Sequence, residues 1–378
     1  MKLFHLSDLH LGKRVYGFSM LEDQKYVLKK ILDMAEEEKP DAVLLAGDVY
    51  DKPVPPIEAV QLLDEFLTAW RKKGIAVFLI SGNHDSAQRL HFGSRLLEEE
   101  HIYVSGAFAG KPYHVKKEDA YGEIHFYLLP FLKPAMTAPF RQEEEIQSYE
   151  EAVKWALEQA EIDFSKRNVL LGHQFVTWRG KAEESDSETK VLGGVDAVDA
   201  GLFFDFDYTA LGHLHQPQKI GRETIRYSGS PLPYSFSEIG RKKGVTVIEL
   251  KEKGNIFLDF LPLPALHGMR ELRGTLEALL QTAKEEGGSH DYMRVILTNR
   301  EPLHNPVGQL RVYYPNLMTL EMEKREISKE VASLSIEKEQ SPVELFRVFY
   351  EERQGKPLSP LQEKVVEMLW QEMGENEN

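Results

Sequence analysis

The chain contains no cysteine, which excludes disulfides and any thiolate centre, so that a metal would have to be held by carboxylate, imidazole or amide groups. It has no run approaching the roughly 20 apolar residues of a membrane helix. Its start, Met1-Lys2-Leu3-Phe4-His5, reads as a strand rather than a secretory signal, and a soluble cytoplasmic protein is expected. No G-x-x-x-x-G-K-S/T loop is present, so ATP would have to be consumed elsewhere. Basic charge is also short: 46 Lys and Arg stand against 61 Asp and Glu, a formal net charge of −15. A protein that holds nucleic acid unaided usually carries a basic footprint. Such a ligand would need either a local basic patch here or a partner that supplies affinity.

What is present suits a globular chain of two or three domains: 378 residues, 42% hydrophobic and 28% charged. Between residue 3 and about 212, apolar runs of strand length alternate with segments of helical period, which argues for a layered α/β domain. Runs at 3–6, 42–46, 76–80 and 169–171 are each followed within a residue or two by Ser, Gly, Asp or Asn. A second set at 126–129, 208–211, 225–228 and 245–250 is expected to form a second sheet packed on the first. Residues 175–195, with Arg179-Gly180-Lys181 and Gly193-Gly194, read as a long surface loop. Pro262 and Pro264 mark a boundary. The expected domains are a catalytic sandwich over 1–265, a small α+β cap over 266–320 and a C-terminal helical region over 321–378. In that last region Ser341-Pro342 and Ser359-Pro360 read as helix starts.

Five short motifs stand at strand ends: Asp8-Leu9-His10, Gly47-Asp48-Val49-Tyr50-Asp51, Gly82-Asn83-His84-Asp85, Gly172-His173 and Gly212-His213-Leu214-His215. Singly each is weak, but together they would bring hard oxygen and imidazole donors to one sheet edge. Phosphodiester hydrolysis needs such a set, because two divalent ions roughly 3.5–4 Å apart can orient the phosphate and offset the charge of the transition state. Asp48 is central enough to bridge both ions, and Asn83 supplies a neutral oxygen. Asp8 and His10, like His213 and His215, sit on alternate residues. Nitrogen and oxygen ligation without sulfur favours Mn²⁺, Fe²⁺, Zn²⁺ or Mg²⁺, and the imidazole content tilts the choice to Mn²⁺. His84 is assigned as general acid or transition-state stabiliser, with Asp85 or another carboxylate orienting its ring, or else as a ligand.

In this order the motifs resemble the calcineurin-like metallophosphoesterases, whose signature runs D-x-H, G-D, G-N-H, G-H and G-H-x-H. Within that superfamily, residues 6–13, 47–51 and 212–217, together with Tyr227-Ser228-Gly229-Ser230-Pro231-Leu232, look like the SbcD family, the bacterial counterpart of the Mre-type repair nucleases. The tail Ser341-Pro342-Val343-Glu344-Leu345-Phe346 with Phe349-Tyr350 is similar too. The resemblance implies a layered two-sheet metallophosphoesterase sandwich with a small α+β cap and C-terminal helices. It implies one ion held by Asp8, His10, Asp48 and His215, and a second held by Asp48, Asn83, His173 and His213, with His84 as the catalytic histidine. It further implies cleavage of DNA (duplex ends, hairpins and single strands) in repair, recombination and replication, with the coiled-coil ATPase SbcC as partner and a homodimer within a heterotetramer. A small-substrate phosphodiesterase or phosphomonoesterase on the same fold is the first rival, favoured by the acidic charge and disfavoured by the long extension past the core. A scaffold without activity is the second, and the intact ligand set argues against it. Lys13, Arg14, Arg89 and Arg95 are candidate backbone contacts, set against ordinary solvated surface. The eight other histidines, including His5, His91, His101, His114 and His125, are expected to be surface or satisfied core residues.

Overall fold

The computed structural model describes residues 1–141, 146–186, 188, 196–323 and 342–375, and the chain divides into two units, Met1–Glu321 and Met322–Asn378. In the first unit, strands Lys2–Leu6, Ala42–Ala46, Ala76–Ile80 and Ile102–Ser105 run parallel in one six-stranded sheet. These strands are covered on both faces, which is why they read as unbroken aliphatic runs rather than as alternating ones. Gly244–Leu250 pairs antiparallel with Lys2–Leu6, and Ile256–Pro262 forms the edge beyond it. The run at 245–250 therefore belongs to the first sheet and not, as its sequence position suggested, to the second. All but Glu249 of this strand is buried, so its pattern carries no information about which sheet it joins.

The second sheet orders Gln218–Ile220, Arg222–Tyr227, Tyr208–Gly212, Arg167–His173, Gly122–Leu129 and Tyr113–Asp119, with its four central strands parallel. The sheets meet through Leu44, Phe78, Ile80, Phe126, Leu171 and Tyr208, and Phe78 stacks on Phe126 at 4.2 Å. Helices Leu21–Glu38 and Ile57–Lys72 cover the outer face of the first sheet with Leu28, Ile31, Leu63, Phe66 and Trp70. Helix Tyr149–Glu158, begun by a reciprocal Ser148–Glu151 cap, covers the second with Ala152, Val153 and Ala156. The expected layered α/β sandwich is the observed architecture. The loops that leave the parallel strands of both sheets meet at one edge, where His213 N, after a strand of the second sheet, donates to Asp8 Oδ1, after a strand of the first, at 3.1 Å.

After the sandwich, Met269–Gly274, Tyr292–Leu297 and Leu317–Met322 form a three-stranded sheet. Helices Leu276–Glu286 and Pro306–Arg311 help fill its own core around Leu279, Val295, Leu310 and Tyr314. Met269, Tyr292 and Met318 also pack on Val27, Leu232 and Tyr234 of the sandwich. Buried Asp23 fixes the junction by accepting from Tyr292 Oη at 2.6 Å and His267 N at 3.1 Å. The second unit holds helices Pro342–Gln354 and Pro360–Glu375, tied by Arg347 to Glu363 and Glu367 at 3.2 and 2.9 Å. Ser341, and residues 187 and 189–195 of the long loop, lie outside the described residues. Among the described residues no helix is long and apolar enough to cross a membrane.

Candidate metal centre

Four of the motif residues have backbones that L-amino acids seldom adopt: φ is 52° at Asp8, 46° at His10, 49° at Asp48 and 113° at His213. Left-handed backbone at a residue with a side chain costs on the order of 1–3 kcal/mol. Here it is held in place by hydrogen bonds between the motifs. His10 N donates to Asp48 O at 2.9 Å, and His213 N donates to Asp8 Oδ1 at 3.1 Å. Two glycines are required by close approach. A Cβ at Gly82 would lie 2.1 Å from Asp48 Oδ1, and one at Gly212 would lie 1.9 Å from Ala46 O and 2.7 Å from His173 Nδ1.

All seven expected ligands come together in two lobes about Asp48. Its Oδ1 accepts from His84 N at 2.9 Å, while Oδ2 stands 3.6 Å from His10 Nε2 and 3.4 Å from His173 Nε2. On the first side, His10 Nε2 and His215 Nε2 face each other at 3.1 Å, and Asp8 joins them to form a group whose ligand atoms lie within 4.8 Å of one another. On the second side, Asn83 Oδ1 lies 3.1 Å from His173 Nε2 and 3.0 Å from His213 Nδ1. Asp8, His10, Asp48, His173 and His215 are buried, whereas Asn83, His84 and His213 are partly open to solvent.

The donor set fits divalent cations. His173 Nδ1 donates to Ala46 O at 2.8 Å, so in the neutral ring Nε2 presents a lone pair towards the oxygens of Asn83 and Asp48. His10 Nε2 and His215 Nε2 also face each other at 3.1 Å in a buried space, and with both lone pairs turned inward they would add to this cluster of electron-rich atoms. Such a cluster repels itself unless positive charge lies within it. Titration behaviour reflects the same field. Burial pushes the Asp8 carboxyl up to about 7 against the pull of His173, and it pushes His10 and His213 down to about 3. Burial alone would also lower His173, but Asp48 and Asp8 raise it to about 9, so that a proton there answers the demand for charge. Asp48 is raised by burial, yet His173 and His10 hold it well below the usual carboxylate range.

His84 stands at the solvent side, its ring edge-on to His10 at 4.8 Å. Its Nδ1 meets Asp51 O at 3.0 Å. A carbonyl only accepts, so Nδ1 carries a proton and Nε2 is left to face the site. The expectation that Asp85 orients this ring is corrected. Both Asp85 oxygens accept backbone N–H groups, from Val49, Tyr50 and Gly82 at 2.9–3.1 Å, and burial with the Asp48 charge raises its carboxyl to about 6. Asp85 therefore ties the loops that carry Asp48 and Asn83 to each other. Asp51, the last residue of the second motif, lies with Oδ1 3.5 Å from His10 Nδ1 and 2.7 Å from Lys13 Nζ.

Three supporting residues went unnoticed in the sequence. Glu238 Oε1 lies 3.9 Å from His215 Nδ1, and Lys243 Nζ, itself buried, donates to His215 O at 2.8 Å and to Glu238 Oε2 at 2.5 Å. Glu188, from the long loop, accepts from His215 N at 2.6 Å. No periodicity or local motif links these positions to His215, and only the fold brings them together. A cavity of about 590 Å³ between Leu63, Leu67, Phe92 and Val104 contains none of the ligand set.

Residues 1–217 match the calcineurin-like phosphoesterase family, and residues 265–354 match a domain described as the type 5 capsule protein repressor C-terminal domain. The SbcD component of the SbcCD nuclease from Staphylococcus epidermidis is 33% identical over 373 residues, covering 98% of both chains. Its namesake from Staphylococcus saprophyticus is 32% identical, covering 98% of this chain and 97% of that one. A dimetal phosphatase from Danio rerio is similar in structure at 11% identity, with a TM-score of 0.43, covering 69% of this chain and 95% of that one.

Proposed function

The chain belongs to the SbcD family of calcineurin-like phosphoesterases, and from that premise we propose that it is the nuclease subunit of an SbcCD-type complex, hydrolysing DNA phosphodiesters at the Asp48-centred site. One observation carries the reading: Asp48 Oδ2 lies 3.6 and 3.4 Å from imidazole nitrogens of two separate ligand lobes, the arrangement a carboxylate shared by two ions requires. Asp8, His10, Asp48 and His215 would hold one ion, and Asp48, Asn83, His173 and His213 the other. When bound, such ions supply Lewis acidity towards the phosphoryl oxygens and lower the pKa of water. Mn²⁺ is the ion proposed, on the imidazole content.

The remaining steps belong to the protein. Ala46 O fixes the His173 tautomer, so that this ring turns a lone pair inward, and Glu238 stands on the outer side of the His215 ring, 3.9 Å from Nδ1. Asn83 adds an oxygen without adding charge, which keeps the pocket open to a phosphate. His84, with Nδ1 anchored on Asp51 O, holds a proton at Nε2 for the departing oxygen. The α+β unit over 266–320 is proposed to help select substrate. The helices after Pro342 are proposed to dock the coiled-coil ATPase, a role supported by exposed Leu345, Phe349, Leu361 and Leu369. ATP-dependent exonuclease action on duplex ends, endonuclease action on single strands and hairpins, and a homodimer within a heterotetramer acting in repair and recombination complete the reading.

The test is Mn²⁺-dependent cleavage of an end-labelled duplex and a hairpin, with and without the ATPase partner, alongside a chromogenic phosphodiester. Cleavage of DNA that the partner strengthens and Asp48→Ala abolishes is expected. Turnover of the small ester with no attack on DNA under any condition would instead make this a small-substrate phosphodiesterase.

A further inference from the structure

A cavity of about 380 Å³ opens directly beside His84, Asn83 and His213. Its other walls bring together Phe131, Tyr149 and Phe175, with Lys133, Gln174 and Asp196. The three rings come from separate segments and gather around the ligands. Phe131 lies 6.1 Å from Tyr149 and 6.3 Å from His173, and Phe175 lies 6.2 Å from His213. Lys133 Nζ stands 5.7 Å from the Phe131 ring centre. Gln174 is buried; its Nε2 is held by Leu132 O at 3.2 Å, and its enclosed Oε1 has no partner among the described residues.

A phosphate held by the ions has no use for three aromatic walls, whereas a nucleobase attached to that phosphate does, since every base offers a flat π face. We propose that this cavity receives the unstacked base of one nucleotide flanking the scissile phosphate. Aromatic rings would contact its face, Lys133 would lie near the neighbouring backbone, and the carboxylate of Asp196 would be available to its N–H groups. A base within a duplex has both faces covered by its stacked neighbours, so it can meet these rings only once it has left the stack. The site therefore demands a nucleotide already unpaired or drawn out of the helix, and the cost of unpairing favours single strands, hairpin loops and frayed ends over internal duplex. This inference rests on the nuclease reading above.

The experiment uses the full chain with Mn²⁺ and its ATPase partner on a labelled single strand, under single-hit conditions, with each bond quantified. A second strand carries one abasic residue in an otherwise identical sequence. The bond on one side of that residue is expected to be cut about 10-fold more slowly than the same bond in the intact strand, the loss one base–aromatic stack implies. Tyr149→Ala should cut both strands alike at that bond, and Tyr149→Leu, which keeps bulk and removes the π face, provides the same reading should the alanine variant not fold. Equal cleavage of both strands by the unmodified protein would overturn the base pocket while leaving the nuclease reading intact, and discrimination that survives loss of the Tyr149 ring would overturn the assignment of its walls. If no DNA strand is cut at all, the nuclease reading falls, and the pocket's occupant with it.

Discussion

Asp48 divides its carboxylate between two tasks, one oxygen holding the His84 backbone and the other standing between two imidazoles. His84 is placed differently from the seven proposed ligands, half-buried and anchored through Nδ1. His84→Gln should therefore retain both metals by calorimetric titration while turnover drops by the ~10²–10⁴-fold typical of lost general acid catalysis. Unchanged turnover would remove His84 from the chemistry, and a lost metal would make it a ligand. Glu238 predicts the opposite pattern. It meets His215 on the ring nitrogen turned away from the site, so Glu238→Gln should weaken one of the two metals by roughly 10–100-fold and leave the other as it was. Gly212→Ala should be far more damaging than its size implies, because the added methyl would meet Ala46 O at 1.9 Å and His173 Nδ1 at 2.7 Å. A loss of about 1–3 kcal/mol in urea unfolding is expected, together with weaker metal binding at the lobe that contains His173.

Between elements, the two sheets are joined by more than apolar contact. His5 on a central strand of the first sheet is fully buried, with Nε2 3.1 Å from Leu211 O and Nδ1 2.9 Å from Tyr208 Oη, both on the second. The carbonyl must accept, so Nε2 carries the proton and Nδ1 accepts from the tyrosine. Burial pushes His5 from 6.5 down to about 3. The unfolded chain thus takes up a proton first as the medium is acidified. The contribution of neutral His5 is complete above about pH 6.5 and is lost as pH falls from there towards 3. His5→Gln should be less stable at neutral pH by about 1–3 kcal/mol, and its urea midpoint should decline less steeply than the wild type's over that acid range. The expectation of a satisfied core histidine holds for this residue, although nothing in its sequence setting points to a strut between sheets. The same division runs through the molecule. The strands, and the motif residues that gather at their ends, were legible because a buried parallel strand must be aliphatic and the polar residue after it must do something. The strand at 245–250 was misplaced and Glu238, Lys243 and Glu188 were missed, because register and long-range contact leave no local pattern. Asp85 sits beside His84 in the sequence, yet its oxygens point away to three backbone amides.

For the whole molecule, the sequence raised the question of how a chain with net charge −15 engages a polyanion, and several basic side chains around the site already have acidic partners. Lys13 pairs with Asp51 at 2.7 Å, Arg241 with Glu183 at 2.8 Å, and Lys243 with Glu238 at 2.5 Å. Each such cation is partly neutralised before any phosphate arrives, so fewer counterions are released when DNA binds. Affinity for a duplex end should then be low for the isolated chain and depend only weakly on salt, since the slope of log K against log salt is about −0.9 per phosphate neutralised. Adding the ATPase partner should raise affinity and steepen that slope together, because most of the phosphate contacts would then be the partner's. Fluorescence anisotropy of a labelled hairpin across a salt series, with Ca²⁺ in place of the cleaving ion, measures both quantities. Equal slopes with and without the partner would place the phosphate contacts on this chain, and a basic strip within its acidic surface would have to be found.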